Sequence, residues 1–261
     1  MKNRGRYQSP INGAFETTAS HTPGVNAWAT EKYFKSKHYS SAIARLCSVT
    51  NSDNPPPVSS IDKTVNITPI TLEGRHVVLS LLTMAHAEAL VTAASDGELW
   101  NTTLTVIPDS KGIESYIEAA LTGHALGKEL PFVIINKSSK EVVGTTRFYE
   151  IRPNDHAAAI GYTWLAKSAQ RTPINTEAKL LLLTHAFEAW RCVRVELITD
   201  VLNEQSRAAI LRLGAKQEGI LRKHLILHSG RSRDSVVFSI IDSEWPDVKA
   251  NLAAKLRRHA G

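Results

Sequence analysis

Two short polar stretches hold the side chains with the clearest chemical use. The first runs Gln170-Arg171-Thr172-Pro173-Ile174-Asn175-Thr176-Glu177, between a strand-like IGYTWL (160–165) and a long run of helix formers. Asn175 or Thr176 is a natural N-cap there, with Glu177 as an acid in the first turn. The unpaired N–H groups of a helix start, together with its partial positive charge, suit a phosphate, and Arg171 and Lys179 lie close in sequence as counter-charges. Pro173 removes one donor and biases Thr172 toward extended backbone, whereas Ile174, Asn175, Thr176 and Glu177 keep their N–H groups. The second stretch follows VRVELITD (193–200). Asn203 caps a helix that ends at Gly214, and Ser206 falls in its first turn. Cap and ligand roles can coexist at Asn203.

The elements that must position these residues follow in one order from Ile70 onward. LEGRHVVLSLL (72–82) reads as a strand, AHAEALVTAA (85–94) and GIESYIEAALTGHALG (112–127) as helices. PFVIINK (131–137) and VVGTTRFYEI (142–151) form a hairpin around SSKE (138–141), by their β-branched content and turn residues. IGYTWL, a helix over 175–191, the strand 193–200 and the helix from Asn203 come next. LRKHLILHSGRSRDSVVFSII (221–241) reads as two strands around Ser229-Gly230, and EWPDVKANLAAKL (244–256) closes as a helix. These patterns alone define an α+β chain.

In sequence order, LEGRHVVL, IGYTWL, NTEAKLLLL, VELITD, NEQSRAAILRLGA and EGILRKH resemble the GNAT superfamily of acyl-CoA N-acyltransferases. Within it they resemble the ribosomal-protein N-terminal alanine acetyltransferase (RimJ/RimL-like) branch, over roughly residues 68–250. The resemblance implies an α/β (α+β) fold: a mixed, mostly antiparallel sheet flanked by helices and splayed between its fourth and fifth strands. Acetyl-CoA would be the co-substrate. Trp164 and Leu165 would offer peptide groups to the pantetheine arm, while Gln170, Arg171, Thr172, Ile174, Asn175 and Thr176 would hold the pyrophosphate. Asn203 would sit where the strands part, and Ser206 would protonate the leaving thiolate. The acceptor would be a primary amine, on a protein N-terminus or a small molecule, attacking directly.

Two departures from the family pattern stand out. Pro173 and Asn175 occupy the two small positions of the phosphate loop. Ala157, Ala158 and Ala159 stand where the branch carries a carboxylate base just before IGY. Asp155, His156 and Glu196 are the nearby replacements, and Glu196 joins Ser206 and Asn203 as the expected catalytic set. A CoA-binding protein with weak or lost catalysis is the first alternative, and a basic nucleic-acid-associated protein the second. Substrate choice would lie in loops such as 95–111 and 222–235, with Trp100 and Tyr116 lining an acceptor pocket.

Composition is compatible with an enzyme: 261 residues, 43% hydrophobic and 21% charged, with a formal net charge of +6. No run approaches a membrane span. Cys47 and Cys192 are too few for a disulfide framework, which favours a reducing, cytoplasmic setting. No CxxC, HExxH or paired histidines support a metal. Nucleic acid is not expected as a partner, since LAAKLRRHAG (252–261) brings basic residues without a recognition motif. A homodimer is left open. Residues 1–65, rich in Ser, Thr, Asn and Pro, read as a poorly ordered, non-catalytic extension, and 66–261 as the GNAT-like domain.

Overall fold

A computed structural model describes residues 67–227 and 229–258; the expected extension lies outside the described residues. Its centre is an eight-stranded sheet, and the helices follow from where that sheet must be covered. In chain order the elements are β1 (Leu72–Glu73), β2 (Val77–Leu81), α1 (Ala87–Ser95), α2 (Ile113–Ala125), β3 (Leu130–Asn136), β4 (Val142–Arg152) and β5 (Ala157–Leu165). They continue with α3 (Pro173–Thr184), β6 (Arg194–Asp200), α4 (Glu204–Leu213), β7 (Lys216–Ile226), β8 (Ser232–Ile241) and α5 (Trp245–Arg258). The strand order is β1-β2-β3-β4-β5-β6-β8-β7. Every pair is antiparallel except β5 with β6. A parallel pair needs a crossover, and α3 supplies it.

The expected single strand over 72–82 is two strands. Glu177 of α3 explains the break. Its Oε1 accepts from Arg75 N (2.9 Å), and its Oε2 from His76 N (2.6 Å) and Val77 N (2.8 Å). A Cβ on Gly74 would lie 2.4 Å from the Glu177 carboxyl carbon, so only glycine lets the turn approach this closely. Two further expectations change. The helix expected over 175–191 starts at Pro173 and, after Thr184, widens into a π-helical turn over His185–Ala189. The segment 222–235 is largely paired strand rather than loop.

Alternation along β4 assigns the layers. The Arg147 guanidinium lies 5.0 Å from the ring centroid of Tyr116 on α2, whereas the preceding Thr146 accepts from Lys179 of α3 at 3.2 Å. Helices α2 and α3 therefore cover opposite faces. Phe132, Phe148, Ile134, Ile160, Leu182 and Leu183 are fully buried in the core. Trp190, just past the π turn, places its ring 4.6 Å from Phe148.

Candidate active site

Strands β5 and β6 pair over three positions only, Ala157 with Arg194, Ala158 with Val195 and Ala159 with Glu196. Beyond them β5 keeps β4 as its neighbour and β6 keeps β8. The sheet is thus splayed between these two strands, as the resemblance implied; the extra strand β1 shifts the count by one. Peptide groups of β5 from Ile160 to Leu165 that would face β6 have no strand to bond, which leaves an edge for an extended ligand.

That edge is irregular by construction. Arg147 is in register with Gly161 and Thr145 with Trp164, so Tyr162 and Thr163 stand opposite the single residue Thr146, a β-bulge. Tyr162 takes a positive φ of 51°. Gly161 is required beside it: a Cβ there would lie 2.6 Å from the Tyr149 ring. A bulge of this kind redirects backbone N–H groups out of the ladder.

The chain leaves β5 through a short turn at Lys167–Ala169 and reaches α3. The N-cap is Thr172, not Asn175 or Thr176; its Oγ1 accepts from Ile174 N at 3.4 Å and donates to Ala169 O at 2.7 Å. Pro173 occupies the first helical position, where a missing N–H costs no intrahelical bond. The helix starts earlier than the polar residues suggested because proline fixes the φ it needs. The N–H groups of Thr176 and Glu177 thereby fall inside the ladder, leaving Ile174 and Asn175 as first-turn donors after Arg171, which sits at φ 61°. The Asn175 Oδ1 is buried without a partner among the described residues. Gln170 donates to Leu165 O (3.0 Å) and accepts from Gln205 of α4 (3.2 Å), tying the loop to the helix across the opening.

Asn203 caps α4, its Oδ1 accepting from Ser206 N at 2.9 Å, and Gly214 ends the helix at φ 105°. Asn203 and Ser206 are half-buried at the end of β6, one turn apart. Glu196 lies at the closed end of the splay. Its Oε1 accepts from Arg152 Nη2 (2.7 Å) and Arg194 Nε (2.9 Å), and its Oε2 has no hydrogen bond among the described residues. Arg194 also forks onto Glu218, whose carboxyl is drawn down to about 2, chiefly by that bond. Asp155 is exposed and only 3.7 Å from Arg152, at the outer end of this chain of charges. Burial raises the Tyr149 phenol, which is in register with Ala159 from the β4 side.

The α2 face of the opening carries an aromatic and cationic cluster. The buried Arg147 bonds Glu129 at 2.7 Å and is sandwiched between Tyr116 (5.0 Å) and the half-exposed Tyr162 (4.0 Å). Tyr116 and Trp100, expected to line an acceptor pocket, are partly buried against the core. Arg231, near the tip of the β7–β8 hairpin, bonds the buried carboxylate of Asp200 and the Thr103 carbonyl (3.4 Å). This brings together the two segments expected to choose substrate.

Lys179 corrects a sequence expectation. It is 5% exposed and lies on the α3 face of the sheet, donating to Thr163 Oγ1 (2.6 Å) and Thr146 Oγ1 (3.2 Å), so it is no counter-charge for the helix start. Burial alone pushes its amine down to about 7. The periodicity could have revealed this, because Lys179 falls three and four residues before Leu182 and Leu183, on the buried stripe. Among the described residues no group of three or more His, Cys, Asp or Glu side chains could hold a metal, and no helix is long and apolar enough to cross a membrane.

A splayed mixed sheet with a helix start at its mouth is the fold that the resemblance to acyl-CoA N-acyltransferases implied. Residues 76–216 match the family model described as the acetyltransferase (GNAT) domain, and the chain belongs to that family. YoaA of Bacillus subtilis, an uncharacterized N-acetyltransferase, is 27% identical over 173 residues, covering 65% of this chain and 96% of that protein. YdaF of the same organism, by name a candidate ribosomal N-acetyltransferase, is 35% identical over 106 residues, 41% of this chain and 57% of that protein. The solved structure of Mycobacterium smegmatis RimJ in complex with CoA-disulfide superposes with a TM-score of 0.59 at 26% identity, covering 72% of this chain and 93% of RimJ. This chain is accordingly an acetyl-CoA-dependent N-acetyltransferase that delivers its acetyl group to an amine.

Proposed function

We propose that the acceptor is the α-amine of a protein N-terminus and that acetyl-CoA lies along the β5 edge of the splay. The observation that carries the placement is the three-residue limit of β5–β6 pairing, with the α3 start and Asn203 both at the open end. Trp164 and Leu165 would bond the pantetheine arm through their peptide groups. Arg171, Thr172, Ile174 and Asn175 would hold the pyrophosphate, with Gln170 fixing the loop and Thr176 lending side-chain support. The residues fit the ligand: the Asn175 N–H remains as a first-turn donor despite Pro173, and Arg171 adds a positive charge in the same loop. A protein acceptor is supported by the name of YdaF and by the RimJ likeness.

In the reaction, the amine nitrogen forms a bond to the thioester carbonyl carbon, and the carbon–sulfur bond breaks. Redirected N–H groups of the β5 bulge would stabilise the carbonyl oxygen as negative charge develops. Glu196 would take the proton the amine loses, through water at its free Oε2, because it is in register with Ala159, where the family's carboxylate is missing. Ser206 would supply the proton that the departing thiolate needs, and solvent exchange restores both groups. The protein would work in the cytoplasm.

Titration calorimetry with acetyl-CoA, with desulfo-CoA and ATP as controls, tests the cofactor placement. Mass spectrometry of peptides with free and blocked N-termini, alongside small amines, tests the acceptor. Acetylation confined to free peptide N-termini is the expected result. Turnover of small amines alone would overturn the protein acceptor. Binding without turnover of any amine would favour a CoA-binding protein whose chemistry is lost, the reading that Ala159 invites.

A further inference from the structure

Lys179 is a buried amine with no carboxylate partner in a protein where the other buried cation described, Arg147, has one. Such a group is costly to bury, whereas a methionine, one atom shorter, would pack there without that penalty. Its two bonds are placed unusually. Thr146 is the one residue that faces the β5 bulge from β4, and Thr163 is the second residue of the bulge itself. The two hydroxyls lie 2.8 Å apart, and Thr163 Oγ1 also reaches the Gly161 carbonyl at 3.3 Å. Lys179 therefore joins both sides of the irregularity from beneath, and through Thr163 it joins both of its ends. Both hydrogens of a neutral amine are used on these hydroxyls. A third hydrogen would find no acceptor among the described residues, which agrees with the lowered affinity of this amine for its proton.

We infer that Lys179 is a positioning residue: with Thr146 and Thr163 it fixes the β5 bulge so that the peptide N–H groups around Tyr162 aim at the thioester oxygen. The inference rests on the proposed placement of acetyl-CoA along β5. It assigns no contact between Lys179 and substrate, since α3 and the sheet enclose the side chain. What the clamp controls is direction. An oxyanion donor misaligned by a fraction of an ångström loses much of its value, and that loss falls on the transition state more than on ground-state binding.

Lys179→Met removes both hydrogen bonds while keeping a similar length and most of the apolar packing; Thr163→Val removes one anchor and Thr163→Ser retains it. Two readouts are taken on each full-length variant: steady-state kinetics, and hydrogen–deuterium exchange of the β5 amides with and without acetyl-CoA. The expected result is a fall in kcat of about tenfold or more for Lys179→Met and Thr163→Val, an unchanged KM for acetyl-CoA, and faster exchange across 161–165. Thr163→Ser should behave as wild type. Unchanged kcat and unchanged exchange in folded Lys179→Met would overturn the inference. If Lys179→Met fails to fold, Thr163→Val decides alone by the same criteria. A wild-type protein whose β5 amides gain no protection from acetyl-CoA would overturn the cofactor placement itself, a result distinct from a protected wild type matched by its variants.

Discussion

Ala159 of β5 and Glu196 of β6 are direct register partners in the last rung of the parallel ladder, where the two strands begin to part. In-register residues of neighbouring strands project to the same face. The Glu196 carboxylate thus stands about one strand spacing, roughly 5 Å, from the Ala159 position of β5. Two arginines hold that carboxylate by one oxygen and leave the other open.

Glu196→Gln should lower kcat by about tenfold or more with little change in the KM for acetyl-CoA, because a positioned base acts on the chemical step. The double variant Ala159→Glu with Glu196→Gln should recover part of the loss by returning the carboxylate to β5. Steady-state kinetics with a peptide acceptor checks both. Full activity in the single variant would remove Glu196 from proton transfer.

For Asn203→Ala, two effects should appear together. The cap bond to Ser206 N is lost, costing about 1 kcal/mol in urea unfolding. Acetyl-CoA affinity should fall as well, which a cap alone would not cause. Calorimetry on the folded variant separates the two; a stability loss with unchanged affinity would leave Asn203 a purely structural residue.

Much of this architecture was legible in the sequence for a physical reason. The β3–β4 hairpin, β5, β6 and α4 each carry a strong local signal: β-branched runs, turn residues, or a cap and a terminal glycine. Asn203 and Gly214 are where such rules place them. Failures occurred where a distant side chain decided a local shape. Nothing local in LEGRHVVLSLL announces that Glu177, about a hundred positions later, folds it into a turn. The α3 start differs for a local reason: Asn175 and Thr176 are good caps in isolation, whereas Thr172 with Pro173 behind it wins in context. The charge pairing of Glu196 depends on Arg152 from another strand, which periodicity does not link to it.

Glu177 makes a strong prediction about stability. Its carboxylate accepts three backbone N–H groups of the β1–β2 turn, bonds that the turn has no other means of making. Glu177→Gln turns one acceptor into a donor that faces other donors, so the cost should be about 2–4 kcal/mol. Chemical denaturation should show a lower midpoint with an unchanged slope. A loss below about 0.5 kcal/mol would mean that the turn holds its shape without this carboxylate.

Lys179 predicts how stability changes with pH. The amine protonates near pH 7 in the folded protein, against 10.5 as its ordinary value. Between these limits the unfolded chain carries a proton at this site that the folded chain lacks. Unfolding therefore takes up a proton, and stability rises with pH across that window, with a slope approaching 1.4 kcal/mol per pH unit. Below about pH 7 both states are protonated, and the folded state bears the full cost of the buried charge. Other groups titrate over the same range, so the difference between wild type and Lys179→Met isolates this one. The variant should be the more stable protein at pH 7, and its advantage should shrink steadily toward pH 10. Urea midpoints at pH 7, 8 and 9 suffice to check this; a difference that does not vary with pH would mean that Lys179 keeps its proton in the folded state, with water entering beside Thr146 and Thr163 to solvate it.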